Sequence, residues 1–464
     1  MVDFDPDFDL CRFSRSTRLL SFCAILALAF LPVAGCGGSS GNNFQQQQVT
    51  VTIASGPSMI GTGANWTYTA TVSGSSNQTV TWSASGGTID ATTSLFIAPN
   101  TVPSSPNITI TATSAATSSA TGQATVTVQA NDPLGTLTET PLNSCTGFSM
   151  YNGTLTCYQL NVSCPGAADV TAYLKVLNPA GAPVGTVLLN TGTGGSGLYD
   201  DLTGGGYKFG SNVVQNLQTM GYNTVQVSFG APFTANQTNG WLQGPGGVRR
   251  LACRYATIAD WVYKNPTIIN ANLNATNSAP MCATGNSGGS AAIVYAVQEY
   301  GLNTEFTMIE PTSGPVTSRI DQGCSPCNSS GTGPVCGTGN SSQMCYESND
   351  ASVIDAAYQT AGSTSNTPCT NALNGNPGTD ASAIFLSDSI LYQGSATVEI
   401  PNTFIKQLIG DDDSSNAVPQ ALTWQQQVIS PQPTLQCLTG APHDIPNYQS
   451  GATQIASDII ANCQ

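Results

Sequence analysis

Residues 280–299 hold the feature that most limits the architecture. A short apolar run, Pro280-Met281-Cys282-Ala283-Thr284, enters the turn Gly285-Asn286-Ser287-Gly288-Gly289 and leaves as SAAIVYAVQEYG. The pattern predicts a buried strand, a sharp corner and a helix rich in Ala, Ile and Val. A strand that feeds a helix through so tight a turn belongs to alternating β and α structure, with Ser287 lifted onto the corner. Glycine beside it lets neighbouring backbone pass closely. The helix start offers free N–H groups and a positive dipole end to an anion. The same GxSxG spacing recurs at Gly37, Ser39 and Gly41, inside GCGGSSGNN, with neither strand nor helix beside it. In a chain with 48 glycines such matches arise by composition.

The chain of 464 residues has room for two domains and a targeting segment. Charged residues make up only 8%, against roughly 25% in ordinary soluble proteins. The net charge is −15 and the isoelectric point about 4.1, which excludes nucleic acid and anionic lipid surfaces as electrostatic partners. At the N-terminus, Arg12, Arg15 and Arg18 precede the 13-residue apolar run LLSFCAILALAFL. Basic residues, a short apolar core and small residues after it read as an export signal over residues 1–35, too short to span a bilayer as a helix. Val33-Ala34-Gly35-Cys36 resembles the lipobox of bacterial lipoproteins. That resemblance implies lipidation of Cys36 and anchoring to a membrane. Gly37 follows where an Asp would mark inner-membrane retention, so the outer membrane or cell surface is expected, with a soluble exported form as the alternative. Setting aside Cys11, Cys23 and Cys36 leaves twelve of the fifteen cysteines. An even number in an exported chain predicts disulfides.

Residues 36–48 are a polar tether with a reach of roughly 20 Å. From 49 to 130 the character changes: no Lys, Arg or Cys, and Asp90 as the single charged side chain. Alternating runs VTVTI, WTYTATV, TVTWSA, NITITAT and ATVTVQ predict short strands. Trp66, Tyr68, Ala70 and Val72 share one face by period two, as do Val80 and Trp82. Such strands make an all-β sandwich. At VTWSASGGTID, SLFIAP and ATVTV the segment resembles bacterial immunoglobulin-like (Big) domains, which implies a spacer or adhesive unit.

From 145 to 464 strand patterns alternate with helical ones. VTAYLKVLNP and PVGTVLLNTG are β-runs separated by an Ala180-Gly181 turn. The helix NVVQNLQTMGY is followed by the strand NTVQVSF, and a helical VRRLACRYATIADWVY precedes the Ser287 corner. Strands EFTMIEP, TFIKQLIG and TLQCL follow, and the last helix carries Ala452, Ile455, Ala456, Ile459 and Ile460 on one stripe. The alternation predicts an α/β class domain: a doubly wound, mostly parallel sheet covered on both faces.

Ser287 is the candidate nucleophile, and its hydroxyl needs an adjacent base. The chain has one histidine, His443, between the final strand and the final helix. It is therefore the base by elimination, with an unperturbed pKa of about 6.5. A lysine base would have to be Lys175, Lys208, Lys264 or Lys406, none of which the pattern places near Ser287. The element order, the GNSGG corner, and an acid then a His after the last two strands resemble the α/β-hydrolase fold across residues 145–464. That resemblance implies ester hydrolysis by a Ser-His-Asp triad. It points to Asp413, three residues past the strand-end Gly410. The following Val-Pro comes two residues later than in the commonest spacing, so Asp411 and Asp412 stay open, as does Glu310 at the end of EFTMIEP. The oxyanion hole is expected from the backbone N–H of Gly288 and of Thr193, or alternatively Gly192, in a loop that departs from the HGGG pattern. A polyester depolymerase, peptidase or acyltransferase would use the same residues. From another class, the chain could be a surface adhesion protein on a hydrolase-like scaffold.

The insertion 312–397 carries Cys324, Cys327, Cys336, Cys345 and Cys369 and is expected to cap the pocket. Export favours disulfides there over a zinc knuckle. No metal or cofactor is expected, the partner is an ester substrate, and oligomeric state is left open.

Overall fold

The computed structural model describes residues 48–143, 145, 151–229, 239–273, 279–327, 335–337, 343–360, 363, 365–394, 397–431 and 433–464. Cys36 with its lipobox-like run and the second GxSxG lie outside them.

A nine-stranded sheet organises the chain from Thr136 onward. Its strands are β1 (Thr136–Pro141), β2 (Thr154–Ser163), β3 (Val170–Asn178), β4 (Gly185–Asn190), β5 (Tyr222–Phe229), β6 (Met281–Asn286), β7 (Met308–Thr312), β8 (Phe404–Gly410) and β9 (Thr434–Leu438). Their spatial order is β1-β2-β3-β5-β4-β6-β7-β8-β9. The first three pairings are antiparallel, and every pairing from β5 onward is parallel. The expected α/β class holds. β3 and β4, close in sequence across Ala180-Gly181, do not pair; β5 lies between them. The parallel partner of β4 must arrive by a crossover, supplied by helix α1 (Gly210–Thr219).

Every side chain of β4, β5, β6 and β7 is buried, because helices cover both faces. On one face α1 packs against the C-terminal helix α6 (Gln449–Asn462), joining Val213, Val214 and Leu217 to Ile455 and Ile459. On the other, α2 (Cys253–Lys264) and α3 (Gly288–Gln298) bury Ile258, Val262, Ile293 and Val297. Each such aliphatic contributes about 1.5–3 kcal/mol when fully buried. The apolar stripe of the last helix thus faces the sheet.

All twelve cysteines after Cys36 pair: Cys145–Cys157, Cys164–Cys253, Cys282–Cys463, Cys324–Cys369, Cys327–Cys345 and Cys336–Cys437. Cys324, Cys327, Cys336 and Cys345 therefore have no thiolate to offer zinc.

Residues 49–130 form short strands in two-, three- and four-stranded sheets around Tyr68, Trp82, Phe96, Ile110 and Val126. Asn107–Ser114 alternates without a break, burying Ile108, Ile110 and Ala112. The period-two face through Trp66, Tyr68, Ala70 and Val72 meets the core, though it is split between two strands. Asn65–Thr67 and Ala70–Ser73 belong to different sheets; Tyr68 and Val72 are buried in the core, while Trp66 and Ala70 pack against it partly buried. Trp66 also meets the α/β region, where the Arg250 guanidinium sits 4.5 Å from its ring centroid.

Arg249 is the hub of that border. Its Nε donates to Asp132 (2.6 Å), and its Nη2 pairs with Glu299 (2.8 Å) and donates to the carbonyl of Thr62 (2.8 Å). Its guanidinium lies 4.5 Å from the Tyr392 ring centroid. The three charged side chains are at most 8% exposed, so removing the cation strands two buried carboxylates. Arg249→Met is expected to destabilise the chain by about 3–5 kcal/mol, seen as a lower urea midpoint. An unchanged midpoint would refute the hub.

Candidate active site

β4 and β6 are adjacent, yet the chain goes from β4 to β5 on one side and then crosses to β6 on the other. In open α/β sheets ligands bind outside the carboxyl ends of strands at such a reversal. The register pairs Asn190 with Gly285, so the loop Thr191–Thr193 lies beside Asn286–Gly288.

Ser287 occupies the corner between β6 and α3 at φ 55°, ψ −119°, a left-handed conformation that costs a non-glycine residue roughly 1–3 kcal/mol. Surrounding bonds hold it there. Its N–H donates to the carbonyl of Thr312 (2.9 Å), and its carbonyl accepts from Ser290 N (3.1 Å) and Ala291 N (3.2 Å). The glycines after it are sterically required. A Cβ on Gly288 would collide with the carbonyl of Thr193, and one on Gly289 with that of Thr191.

His443 follows β9. Its Nδ1 lies 2.8 Å from Asp413 Oδ2. A carboxylate only accepts, so the proton is on Nδ1 and the Nε2 lone pair is left available. Asp413 Oδ1 accepts from Ser415 N (2.9 Å) and Ser415 Oγ (2.7 Å). Burial disfavours ionisation of Asp413, but the bond and charge of His443 and the bonds from Ser415 outweigh it and hold the carboxyl below its usual range. Burial likewise opposes the imidazolium of His443. The bond and charge of Asp413, with Asp444 and Asp350 adding, prevail and raise it above its ordinary value.

The other acid candidates are elsewhere. Asp411 accepts from Gly440 N at 2.5 Å, and Asp412 is exposed. Glu310 is buried next to Asp458 on α6, and burial, reinforced by that neighbour, pushes its carboxyl well above the usual range. Of the lysines, Lys175 pairs with Asp200, Lys264 with Asp260 and Lys406 with Asp458, while Lys208 lies over Phe209.

Ser287, Gly288, Thr193 and His443 border one cavity of about 300 Å³. Gly192 is committed otherwise: its N–H donates to Tyr207 Oη at 2.7 Å. Thr193 adopts φ 50° beside Gly288. The apolar wall is Trp241, Leu242, Val316, Val353 and Ile354. Val353 and Ile354 lie on α4 (Ser348–Ala356) in the insertion, which brings Tyr346, Glu347 and Asp350 to the same cavity. Sequence reasoning missed Ser415, Tyr207 and Asn286. Asn286 Nδ2 donates to Asp444 Oδ1 at 3.2 Å, tying the corner to the residue after His443. An Asn inside the corner and an Asp after the only His were the available signals.

No protein-family model and no curated protein matches the chain. Among solved structures, a putative hydrolase from Agrobacterium vitis S4 is 12% identical, covering 67% of this chain and 100% of its own with a TM-score of 0.41. A carboxyl esterase from Bacillus coagulans is 12% identical over 70% and 97%, with a TM-score of 0.38. A soluble variant of monoglyceride lipase from Saccharomyces cerevisiae is 15% identical over 69% and 97%, also at 0.38. Likeness at this level carries no weight for substrate or mechanism, which rest on the geometry.

With a single histidine, one imidazole resonance set reports the site. NMR titration is expected to give His443 a pKa above about 6.5, and Asp413→Asn to lower it, because only Asp444 and Asp350 then oppose burial. A value at or below 6.5 in the wild type would mean that Asp413 does not engage the ring.

Proposed function

We propose that the chain is a serine hydrolase that cleaves carboxylic esters through an acyl-enzyme, with Ser287 as nucleophile, His443 as base and Asp413 as the orienting acid. The observation that carries the reading is the coincidence of three features. A strained serine corner and the open edge of an Asp-held imidazole share a cavity, and backbone from Gly288 and Thr193 borders it. Ser287 Oγ attacks the carbonyl carbon as His443 Nε2 takes its proton. The oxyanion is met by the N–H groups of Gly288 and Thr193. The imidazolium then protonates the leaving alkoxide, and water repeats the sequence on the acyl-enzyme. Asp413 holds the tautomer and stabilises the cation without itself taking the proton.

The order of the triad along the chain, Ser, Asp, His, and the position of the corner at the top of a parallel sheet favour an α/β-hydrolase architecture. Residues 49–130 read as an immunoglobulin-like spacer, and the N-terminus as an export signal ending at a lipidated Cys36. A multiply acylated cysteine anchors stably where one acyl chain does not. On this reading Cys36→Ser moves the protein from the detergent phase to the aqueous phase in phase partitioning; unchanged partitioning would reject the anchor.

A fluorophosphonate probe tests the hydrolase itself. Wild type should label covalently and Ser287→Ala should not, with turnover of a short-chain ester falling about 10⁴-fold or more. Wild type that folds yet takes up no probe would favour the adhesion-protein reading.

A further inference from the structure

The charges around the cavity are one-sided. Besides His443 and the phenol of Tyr346, the ionisable side chains bordering it are the carboxylates Glu347 and Asp350, and no lysine or arginine borders it among the described residues. Asp350 is not a loose surface acid. Its Oδ2 accepts from Asn416 Nδ2 at 2.5 Å, and Asn416 adjoins Ser415, whose hydroxyl bonds Asp413 and lies 3.3 Å from His443 Nδ1. The insertion therefore fixes a negative charge within the set of groups that holds the base. With Asp413 and Asp444, it is among the charges that keep His443 above its ordinary range. Two aromatic side chains, Trp241 and Tyr346, border the same cavity. Carboxylates with no competing cation favour an ammonium group by Coulomb attraction, and the aromatic side chains give its alkyl groups an apolar border.

We propose that Asp350 and Glu347 make the cavity select esters carrying a positive charge in the part that lies against α4, and reject esters carrying a carboxylate there. The inference rests on the ester-hydrolase reading above and names its substrate class. Attraction acts at the first encounter and in the bound state, so it is read in kcat/KM. Glu347 is exposed and Asp350 half-buried. Salt should accordingly weaken the effect, since the screening length falls from about 30 Å at about 10 mM to about 3 Å near 1 M.

The test uses isosteric butyrate esters: butyrylcholine, its uncharged counterpart with carbon replacing the quaternary nitrogen, and an anionic counterpart with a carboxylate in that place. A second series puts the same three groups in the acyl half. In at least one series, wild type at low salt should favour the cation over the neutral ester, and the neutral ester over the anion, each by about fivefold. Asp350→Asn with Glu347→Gln should bring both ratios to within about twofold of one. Asp350→Asn keeps an oxygen for Asn416, so the fold is preserved, and ratios of kcat/KM cancel any common loss of activity. Charge-blind hydrolysis in both series, or discrimination that survives the double substitution, overturns the inference while leaving the hydrolase intact. Absence of both probe labelling and neutral-ester hydrolysis removes the hydrolase reading and this inference with it.

Discussion

The parallel pairing of β4 with β6 is the constraint on which the site depends. It sets Asn190 against Gly285 and so brings two loops distant in sequence to the same edge. Close approach then demands glycine: any side chain at Gly288 or Gly289 would meet the carbonyls of Thr193 or Thr191. Two unfavourable backbone conformations, at Ser287 and Thr193, persist because strands and helices on both sides over-determine them. Site geometry is thus a by-product of sheet register, and a slip of one residue would turn every buried side chain of β6 to the opposite face.

Electrostatics is concentrated in a few places. A chain with 8% charged residues solvates its surface with amides and hydroxyls and uses several of its ions inside. Arg249 with Asp132 and Glu299, Lys175 with Asp200, and Lys406 with Asp458 are buried or nearly so. Replacing such a pair by apolar residues is often neutral, because both partners lose hydration, whereas removing one partner strands the other's charge. At the border between the β-rich residues 49–130 and the α/β region, Arg249 fixes how the two meet.

Local patterns were legible in the sequence. The apolar run, glycine turn and alanine-rich helix around Ser287 determine each other over a few residues, and the alternation in Asn107–Ser114 follows from period two alone. Asp413 could be favoured over its neighbours only through resemblance, since three consecutive aspartates look alike until the backbone turns them: one toward Gly440, one outward, one toward His443. Long-range facts were not legible. Nothing in VTAYLKVLNP or PVGTVLLNTG announces that β5 comes between them, because strand order is decided by crossover geometry. Trp66 fits a period-two face and packs on the core, but nothing in its run announces that the strand breaks after Thr67 or that its ring also meets Arg250. Disulfide pairing, too, depends on which cysteines the finished fold brings together.

The insertion is closed on itself by Cys324–Cys369 and Cys327–Cys345, and a third bridge, Cys336–Cys437, fastens it to β9. The proposed nucleophile, base, acid and oxyanion donors all come from outside it, whereas α4 within it supplies much of the cavity wall. On the proposed reading, the reacting groups and much of the wall that faces the substrate lie in separate stretches of the chain, linked where Asp350 meets Asn416. The bridges hold the stretch between β7 and β8 compact and fastened to the sheet, so on that reading substitutions along α4 would reshape the wall and leave the strands beneath it in place.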